Sequence, residues 1–383
     1  MMDSRDRTEI SKFLEHSAMS FRDIAFEIES DPLAIHRHVD NPGVQSLATM
    51  FVPQEFGAKP FKGPSGKSYY FMTSEERVLS LEKLAYGDAG VLLASPGPSL
   101  SGYIINDLGS PEQKQTFYGS LLSEPTWTFF ALTEPKRGSD AMNIETKLTK
   151  GQPGEWTLSG EKYFVGNASR AQLGVTFARY APGPLGIEIV FIDTSKPGYS
   201  AHELPTLGMR GAGISQIKFD QYAVDDSAIV GKAFRPSHRG LWGAIKTFNR
   251  MRPGVAAIAL GISQATYDYI IEGRKQLKPT EQLTLEQVST ELKQTRAIIE
   301  KAARSADDDA SNGYWGSIAK YRSVKLAERV TDLAPRFFGP AAFIQHPFLE
   351  KWYRDARGCE YMEGTHHIQK LNIFQGYLSG KGQ

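Results

Sequence analysis

The chain has 383 residues, which is enough for two or three domains with a large buried core. Lys and Arg total 44 against 43 Asp and Glu, so the overall charge attracts neither nucleic acid nor an anionic membrane. The single cysteine excludes an internal disulfide, the first thirty residues lack the apolar stretch of a signal peptide, and no segment has the ~20 apolar residues of a membrane span. We therefore expect a soluble cytoplasmic protein whose partner is a small or locally charged molecule, without a nucleic-acid or membrane partner.

The first third of the sequence has helical periodicity. Residues 74–94 place acidic residues first and then repeat apolar residues at spacings of three and four. Ser110 and Pro111 match the start of another helix, because serine caps the first turn and proline fits within it. This pattern predicts an all-α N-terminal domain over residues 1–122.

The middle third changes to short runs of β-branched and aromatic residues. Gly, Pro and Ser separate these runs, as the turns between strands require. The clearest runs cover residues 156–168, 173–181, 187–194 and 214–224. This pattern predicts a middle β domain over residues 123–235.

Helical periodicity returns in the last third, residues 236–383. Apolar stripes with steps of three and four run along two segments; their members are Val255, Ile258, Ile262, Ala265 and Tyr269, then Leu285, Val288, Leu292, Thr295 and Ile299. Long helices with such stripes bury them most simply in an antiparallel bundle. The predicted fold is therefore multi-domain α+β, with a helical domain, a β domain and a C-terminal four-helix bundle.

The segment CEYMEGTHHIQK, from Cys359 to Lys370, places Glu363 three and four residues before His366 and His367. A Glu-x-x-His pair is the spacing of di-iron bundles, but such sites need a second pair and two further glutamates, which the sequence does not repeat. Adjacent histidines also project about 100° apart on a helix, so they do not easily share one ion. We therefore expect no metal site.

Five segments carry the strongest indication of function. They are FFALTEPKRGSD from Phe129, LSGEKYFVGNA from Leu158, GMRGAGISQIKFDQYAVDDSAIVG from Gly208, RMRPGVAAIALGISQATYDY from Arg250 and KWYRDARGCEYMEGTHHIQK from Lys351. In this order and at this spacing they resemble the acyl-CoA dehydrogenase family of flavoenzymes. The resemblance covers about residues 75–375 and implies the family's fold: a helical domain, a β-barrel-like domain and a four-helix bundle.

The resemblance implies a base for the reaction. Family members remove a proton and a hydride from neighbouring carbons of an acyl thioester, and a glutamate in the EGT turn takes the proton. Here that residue is Glu363. The resemblance also places Arg252 beside the substrate and implies that Met362 and Gly364 contact the substrate. Such a base must be kept from water, because burial raises the pKa of a carboxyl group. Some branches place the base just before the arginine, but this chain has Met251 there.

The resemblance also implies FAD as the cofactor, with N5 of the flavin accepting the hydride. Leu132 and Thr133 match positions that touch the flavin ring, and Ser139 matches one that meets both the flavin and the thioester. Phe164 keeps an aromatic wall, but Gly166 replaces a hydroxyl that usually faces N5. The implied FAD-binding residues are Phe130, Leu132, Thr133, Ser139, Phe164, Gly166, Arg274, Arg336, Gly339, Thr365 and His367.

Some of these contacts cross between subunits in the family. An arginine after the first bundle helix reaches the FAD pyrophosphate of a neighbouring subunit, and Arg274 takes its place. Arg336 and Gly339 replace a glutamine and a Gly-Gly stretch, although a surface arginine is the alternative interpretation. The resemblance therefore implies a homo-oligomer, either a homotetramer or a homodimer.

Lys136 and Arg137 depart from the family, which usually has small or neutral residues at these positions. Two cations near the expected tunnel mouth suit a phosphate, either of CoA or of the phosphopantetheine of a carrier protein. Solvated surface charge is the alternative. Arg137 is therefore a candidate for substrate binding beside Ser139, and an acyl-carrier-protein substrate in a biosynthetic pathway is one hypothesis.

Three functions stay open at this point. The first is FAD-dependent α,β-dehydrogenation of an acyl thioester, with an electron-transfer flavoprotein or oxygen as the electron acceptor. The second is a flavin-dependent oxidase or monooxygenase of the same fold, although the monooxygenases of this fold generally lack the base. The third is a catalytically silent scaffold or a metal-binding bundle, which would remain colourless when FAD is added.

Overall fold

The computed structural model describes residues 4–63 and 65–381. The chain begins with helices, continues through a β-sheet and ends with helices, so the predicted order of the fold is confirmed. Within the described ranges, no helix combines the length and the apolar character needed to cross a membrane.

The N-terminal part is mainly helical. Its helices are α1 (Ser4–Ser30), α2 (Pro42–Thr49), α3 (Ser74–Ala94), α4 (Ser101–Leu108) and α5 (Pro111–Ser123). Helix α5 begins as predicted, because the hydroxyl of Ser110 accepts the N–H of Gln113 at 3.2 Å. A two-stranded hairpin of β1 (Phe61–Lys62) and β2 (Ser68–Tyr69) interrupts the helices, and the helical pattern gives no sign of it.

Eight strands form the middle sheet. They are β3 (Thr128–Ala131), β4 (Lys147–Lys150), β5 (Glu155–Val165), β6 (Leu173–Arg179), β7 (Ile187–Asp193), β8 (Tyr199–Glu203), β9 (Ser215–Asp225) and β10 (Ile229–Val230). Their order is β10-β7-β6-β4-β5-β9-β8, and β3 pairs in parallel with β6. The four runs predicted as strands correspond to β5, β6, β7 and β9.

The C-terminal part is helical again. Its helices are α6 (Leu241–Gly273), α7 (Pro279–Asp308), α8 (Tyr314–Phe338), α9 (Ala342–Gln345), α10 (Pro347–Gly358) and α11 (His366–Leu378). Both predicted stripes face the interior, and only Tyr269 of their ten members is not fully buried. Helix α6 packs against α7, α8 and the N-terminal helix α3, so it lies at the centre of the molecule.

A buried ion cluster joins the three parts of the chain. Lys351 of α10 lies 2.8 Å from the carboxylate of Asp88 and 2.7 Å from that of Asp355. Asp88 interrupts α3 with an extended backbone, and Asp355 accepts the N–H of Met209, which belongs to the loop between β8 and β9. Burial alone would lower the pKa of Lys351, but the carboxylates around it raise this pKa. The cluster fixes α10, the helix that leads into the turn containing Glu363.

Candidate active site

Glu363 lies in the turn between α10 and α11, three residues before the first residue of α11. Its φ is +48° and that of Gly364 is +99°, so both residues have a left-handed backbone. This conformation is costly for a residue with a side chain and persists only where the surroundings enforce it. The metal interpretation of this segment places Glu363, His366 and His367 on one helical turn. The structure contradicts it, because Glu363 lies outside the helix.

Three buried side chains hold the carbonyl groups of this turn. Arg252 donates from Nε to the Glu363 carbonyl at 3.3 Å, and Gln369 donates from Nε2 to the same oxygen at 3.1 Å. Gln369 also donates to the Gly364 carbonyl at 2.9 Å, and the ammonium of Lys320 donates to the same carbonyl. These contacts from α6, α8 and α11 enforce the strained backbone at Glu363.

Glu363 as a whole is half-buried. Its Oε2 atom is buried and has no hydrogen-bond partner among the described residues. Burial raises the pKa of Glu363 to about 7, although the positive charges of Lys320 and Arg252 oppose this rise. A carboxyl group with this pKa exchanges its proton readily near neutral pH, as a general base requires.

The two cations beside Glu363 are themselves perturbed. Burial lowers the pKa of Lys320 to about 8 and that of Arg252 to about 10, and the carboxylate of Glu363 opposes both changes. Arg252 is oriented by Asn249, whose Oδ1 accepts Nη1 at 2.8 Å. Both cations are therefore charged at neutral pH and fixed close to the carboxylate.

Glycine at position 364 is required by the local geometry. A Cβ there would lie 3.1 Å from Nε2 of Gln369 and 3.2 Å from the side chain of Ile368, in addition to the strain of the positive φ. Met362, on the other side of Glu363, is half-buried and packs against the main hydrophobic core. The turn therefore has an apolar residue on one side of Glu363 and an obligatory glycine on the other.

The first group of implied flavin residues follows β3. Phe130 lies in β3, and Leu132 and Thr133 come directly after it. The carbonyl of Leu132 accepts the ammonium of Lys162 at 3.1 Å, and the carbonyl of Thr133 accepts the N–H of Tyr163 at 2.8 Å. The hydroxyl of Thr133 makes no hydrogen bond within the described ranges, so it is available to a ligand.

Phe164 and Gly166 lie at the end of β5 and just beyond it. Phe164 is 64% exposed and has a φ of +58°, so a large apolar ring stands at the surface on a strained backbone. A Cβ on Gly166 would meet nothing closer than 3.8 Å. The space that a hydroxyl-bearing side chain would occupy is therefore open in this protein.

The loop after Thr133 carries the implied substrate residues Arg137 and Ser139. Ser139 is exposed, as is Lys136. Arg137 is already engaged by acidic side chains, with its guanidinium 3.1 Å from Glu145 and 3.7 Å from Asp140. This pairing leaves Lys136 as the freer cation of the two for a phosphate.

The remaining implied FAD residues lie at helix ends. Arg274 caps the end of α6, 3.6 Å from the carboxylate of Glu281, and its Nε is buried with no hydrogen-bond partner among the described residues. Arg336 is exposed in the last turn of α8, and Gly339 follows that helix with a φ of +81°. In the part of the chain that the structure describes, no hydrogen bond or ion pair joins either arginine to the turn of Glu363.

Thr365 is the N-cap residue of α11, and the two histidines that follow it differ in exposure. His367 is exposed, whereas His366 is buried with Nδ1 3.2 Å from a carboxylate oxygen of Glu360. Together with Glu328, these two residues place potential ligand atoms within 4.8 Å of one another, but Lys325 already donates to Glu328 at 2.8 Å. Neither Glu363 nor His367 belongs to this cluster.

Three residues of the site were not among those predicted from the sequence: Lys320, and Gln369 and Lys162, which lie inside two of the quoted segments. Each is fully buried, and Lys162 forms a 2.9 Å ion pair with the carboxylate of Glu134 beside the implied flavin strand. Lys320 falls on the apolar face of α8, where a charge is unexpected. That mismatch is the one sequence signal that could have identified it.

Comparison with known proteins identifies the family. The family model of the acyl-CoA dehydrogenase middle domain matches residues 129–222, and that of the C-terminal domain matches residues 238–378. Acryloyl-CoA reductase (NADH) of Anaerotignum propionicum is 30% identical over 278 residues, which cover 69% of this chain and 70% of that protein. The chain belongs to the acyl-CoA dehydrogenase family. The resemblance stated from the sequence is therefore confirmed.

Members of the acyl-CoA dehydrogenase family are FAD-dependent, and this chain is an oxidoreductase of the family's kind, which acts on CH–CH groups. A second relative, 3-(aryl)acrylate reductase of Clostridium sporogenes (strain ATCC 15579), is 29% identical over 340 residues, which cover 85% of this chain and 86% of that protein. The fold of the prolyl acyl carrier protein oxidase AnaB is also similar, with a TM-score of 0.81 at 20% identity over 98% of this chain and 99% of that one.

Proposed function

We propose that the chain catalyses the FAD-dependent α,β-dehydrogenation of an acyl thioester, with Glu363 as the base that removes the α-proton. The family supports the reaction type. The observation that carries the assignment of the base is the buried Oε2 of Glu363, which has no partner among the described residues. A buried ionisable oxygen without a partner is costly, and ionisable groups perturbed in this way cluster at functional sites.

The residues of the implied FAD site fit the cofactor. The hydroxyl of Thr133 is free of hydrogen bonds within the described chain, and the ring of Phe164 is exposed as a flat apolar surface. Nε of Arg274 is buried and finds no hydrogen-bond partner in the described part of the chain, as expected of a guanidinium that binds a phosphate. Bound FAD would supply the acceptor of the β-hydride at N5.

The backbone of Glu363 supports a second role. Its N–H donates no hydrogen bond to any described residue, while its carbonyl is held by Arg252 and Gln369. The free N–H is available to hold the thioester carbonyl, which gains negative charge as the α-proton leaves. The nearby positive charges of Arg252 and Lys320 stabilise this negative charge.

The substitution Glu363→Gln tests the base directly, since it removes the proton acceptor and keeps the shape. We expect the rate of anaerobic flavin bleaching by acyl-CoA and acyl-carrier-protein thioesters to fall about 10²–10⁴-fold. The matched control is Glu360→Gln in the same segment, which should bleach at the wild-type rate. Before substrate is added, the purified variant should be as yellow as the wild-type enzyme, which shows that it retains FAD. Wild-type bleaching by Glu363→Gln would show that another group is the base.

The reverse reaction is a second candidate. The relatives from Anaerotignum propionicum and Clostridium sporogenes are both named as reductases. A carboxyl group with a pKa of about 7 is half protonated at neutral pH, so Glu363 is equally able to deliver a proton to an α,β-unsaturated thioester. Two anaerobic experiments distinguish the preferred direction: the oxidised enzyme is mixed with the acyl thioester and the reduced enzyme with the enoyl thioester, and the rates of flavin reduction and flavin reoxidation are compared.

Oxidase activity is favoured by one observation, the open space at Gly166 beside the implied position of the flavin. Oxygen has access there that a larger residue would block. The test is the rate at which air reoxidises the reduced enzyme. Reoxidation within seconds, slowed strongly by Gly166→Ser, would support an oxidase, and slow reoxidation in both proteins would exclude it.

A further inference from the structure

A cavity of about 670 Å³ lies where α3, α4, α6 and the loop between α7 and α8 meet. None of the residues implied in FAD or thioester binding lines it. Asn249 connects the cavity to the turn of Glu363. It accepts a hydrogen bond from Arg252, which holds that turn, and donates one at 3.1 Å to the carbonyl of Ala310 in the cavity wall. The volume is within the usual range of small-molecule sites, roughly 300–1,000 Å³.

Arg77 is the unusual residue of this cavity. It is only 7% exposed, and its guanidinium lies 4.1 Å from the centre of the Phe51 ring and 4.4 Å from that of Tyr103. Among residues 4–63 and 65–381, none forms an ion pair or a hydrogen bond with the side chain of Arg77. Its Nε is buried and likewise has no partner there. Stacking supports the flat faces of a guanidinium but leaves its in-plane N–H donors free.

Tyr103 adds a second unpartnered group. It is 9% exposed, and its hydroxyl is buried with no hydrogen-bond partner among the residues described. Burial raises the pKa of Tyr103, so the hydroxyl keeps its proton and acts as a donor. A buried cation and a buried donor that face one cavity are both costly unless a ligand accepts from them.

The acidic residues of the wall do not fill this role. Asp107 forms a 2.7 Å ion pair with Arg250, and Asp307 accepts backbone N–H groups at the start of α3. Asp308 and Asp309 are exposed at the rim, where water and salt screen their charges. The donors of Arg77 therefore have no acceptor of their own within the described part of the wall.

We propose that this cavity binds a carboxylate between the guanidinium of Arg77 and the hydroxyl of Tyr103. A guanidinium fork matches the two oxygens of a carboxylate, and one buried cation balances one negative charge. The carboxylate has two candidate sources. One is the far end of a dicarboxylic acyl group, which rests on the proposed function, and the other is a separate small molecule.

Calorimetry with the FAD-loaded enzyme and succinate as the probe tests the site itself. We expect wild-type enzyme to bind succinate and Arg77→Met to bind it at least about tenfold more weakly, because charge-assisted hydrogen bonds are lost. Tyr103→Phe, which keeps the ring and removes only the hydroxyl, should weaken binding about threefold or more. If Arg77→Met does not fold, Arg77→Lys keeps the charge, loses the fork and should still weaken binding.

Lys246→Met is the matched control, since it removes one positive charge from the same wall at a half-buried position. It should bind succinate within about twofold of wild type. Equal weakening by Lys246→Met and Arg77→Met would show a diffuse positive field and overturn the proposed site. Absence of succinate binding to wild-type enzyme would overturn it as well, unless the thioester experiment below shows the Arg77 dependence.

Acyl thioesters with and without a terminal carboxylate, matched in length, separate the two sources. If Arg77→Met slows anaerobic flavin bleaching only by the carboxylated thioester, the ligand is the end of the acyl group. If it abolishes succinate binding and leaves both thioesters unaffected, the ligand is a separate molecule. Unchanged succinate binding and unchanged bleaching would overturn the proposal, and failure of every thioester to bleach the flavin would count only against the proposed function.

Discussion

The main-chain carbonyl of Glu363 accepts a hydrogen bond from Nε of Arg252 at 3.3 Å, whereas one carboxylate oxygen of Glu363 is buried without a partner in the described chain. Arg252 therefore holds the proposed base by its backbone and leaves the carboxylate free to react. Its charge also opposes the effect of burial on the pKa of Glu363. One arginine thus positions the turn and limits how far that pKa rises.

The first prediction concerns pH. Because burial raises the pKa of Glu363 to about 7, the proposed base is mostly protonated in acid and ionised above neutrality. We expect the rate of anaerobic flavin reduction to rise about tenfold per pH unit below pH 7 and to level off above it. The residual rate of Glu363→Gln should not follow this curve, and a wild-type profile that is flat between pH 5 and 8 would contradict the assignment.

The same residue should affect stability in the opposite sense. The folded protein holds the proton of Glu363 more tightly than the unfolded chain does, so the stability that this residue contributes is present below its ordinary pKa of 4.5. It is lost as the pH rises through about 7. Urea denaturation should therefore show Glu363→Gln gaining stability relative to wild type between pH 5 and pH 8.

The second prediction separates Lys320 from its neighbours on α8. Its positive charge lowers the pKa of Glu363, so Lys320→Met should move the midpoint of the activity profile to higher pH by about one unit or more. Lys325→Met is the control, because Lys325 is half exposed and pairs with Glu328. Equal profiles for the Lys320 variant and wild type would mean that Lys320 serves only to hold the backbone of the turn.

Periodicity and local motifs explain why the order of the fold and two residues of the candidate site could be predicted from the sequence. The stripes of α6 and α7 and the runs of β5, β6, β7 and β9 are local patterns, so the order of the fold follows from them. Glu363 and Arg252 stand within motifs that a family shares. The contact of Lys320 with the Gly364 carbonyl joins residues 44 apart in the sequence, and no local pattern encodes such a meeting.

The cavity around Arg77 was equally beyond prediction, for the same physical reason. Phe51, Arg77 and Tyr103 come from three separate segments, and each residue alone is ordinary. The short strands β4, β8 and β10 escaped prediction because two to five residues are too few to show a period. Long-range packing, which the sequence does not display locally, decides all of these features.

The third prediction tests the strained turn. Gly364→Ala adds a Cβ that would lie 3.1 Å from Gln369 at a φ of +99°, so we expect about 1–3 kcal/mol of destabilisation and a marked loss of flavin reduction. Gly57→Ala is the matched control, since Gly57 has a φ of +94° with open space around its missing Cβ. It should show a similar backbone penalty with normal activity. Full activity in Gly364→Ala would mean that the turn tolerates movement.

The fourth prediction concerns the buried ion cluster that fixes α10, the helix before the turn of Glu363. Lys351→Met leaves the carboxylates of Asp88 and Asp355 buried without their cation, which costs about 3–5 kcal/mol in comparable sites. Lys196→Met removes a lysine whose side chain is 42% exposed and 3.7 Å from Asp225, so it should cost at most about 1 kcal/mol. Urea denaturation of both variants measures the difference. If Lys351→Met lowers the free energy of unfolding no more than Lys196→Met does, the two carboxylates take up protons at little cost. Packing, and not the ion cluster, would then hold the three parts of the chain together.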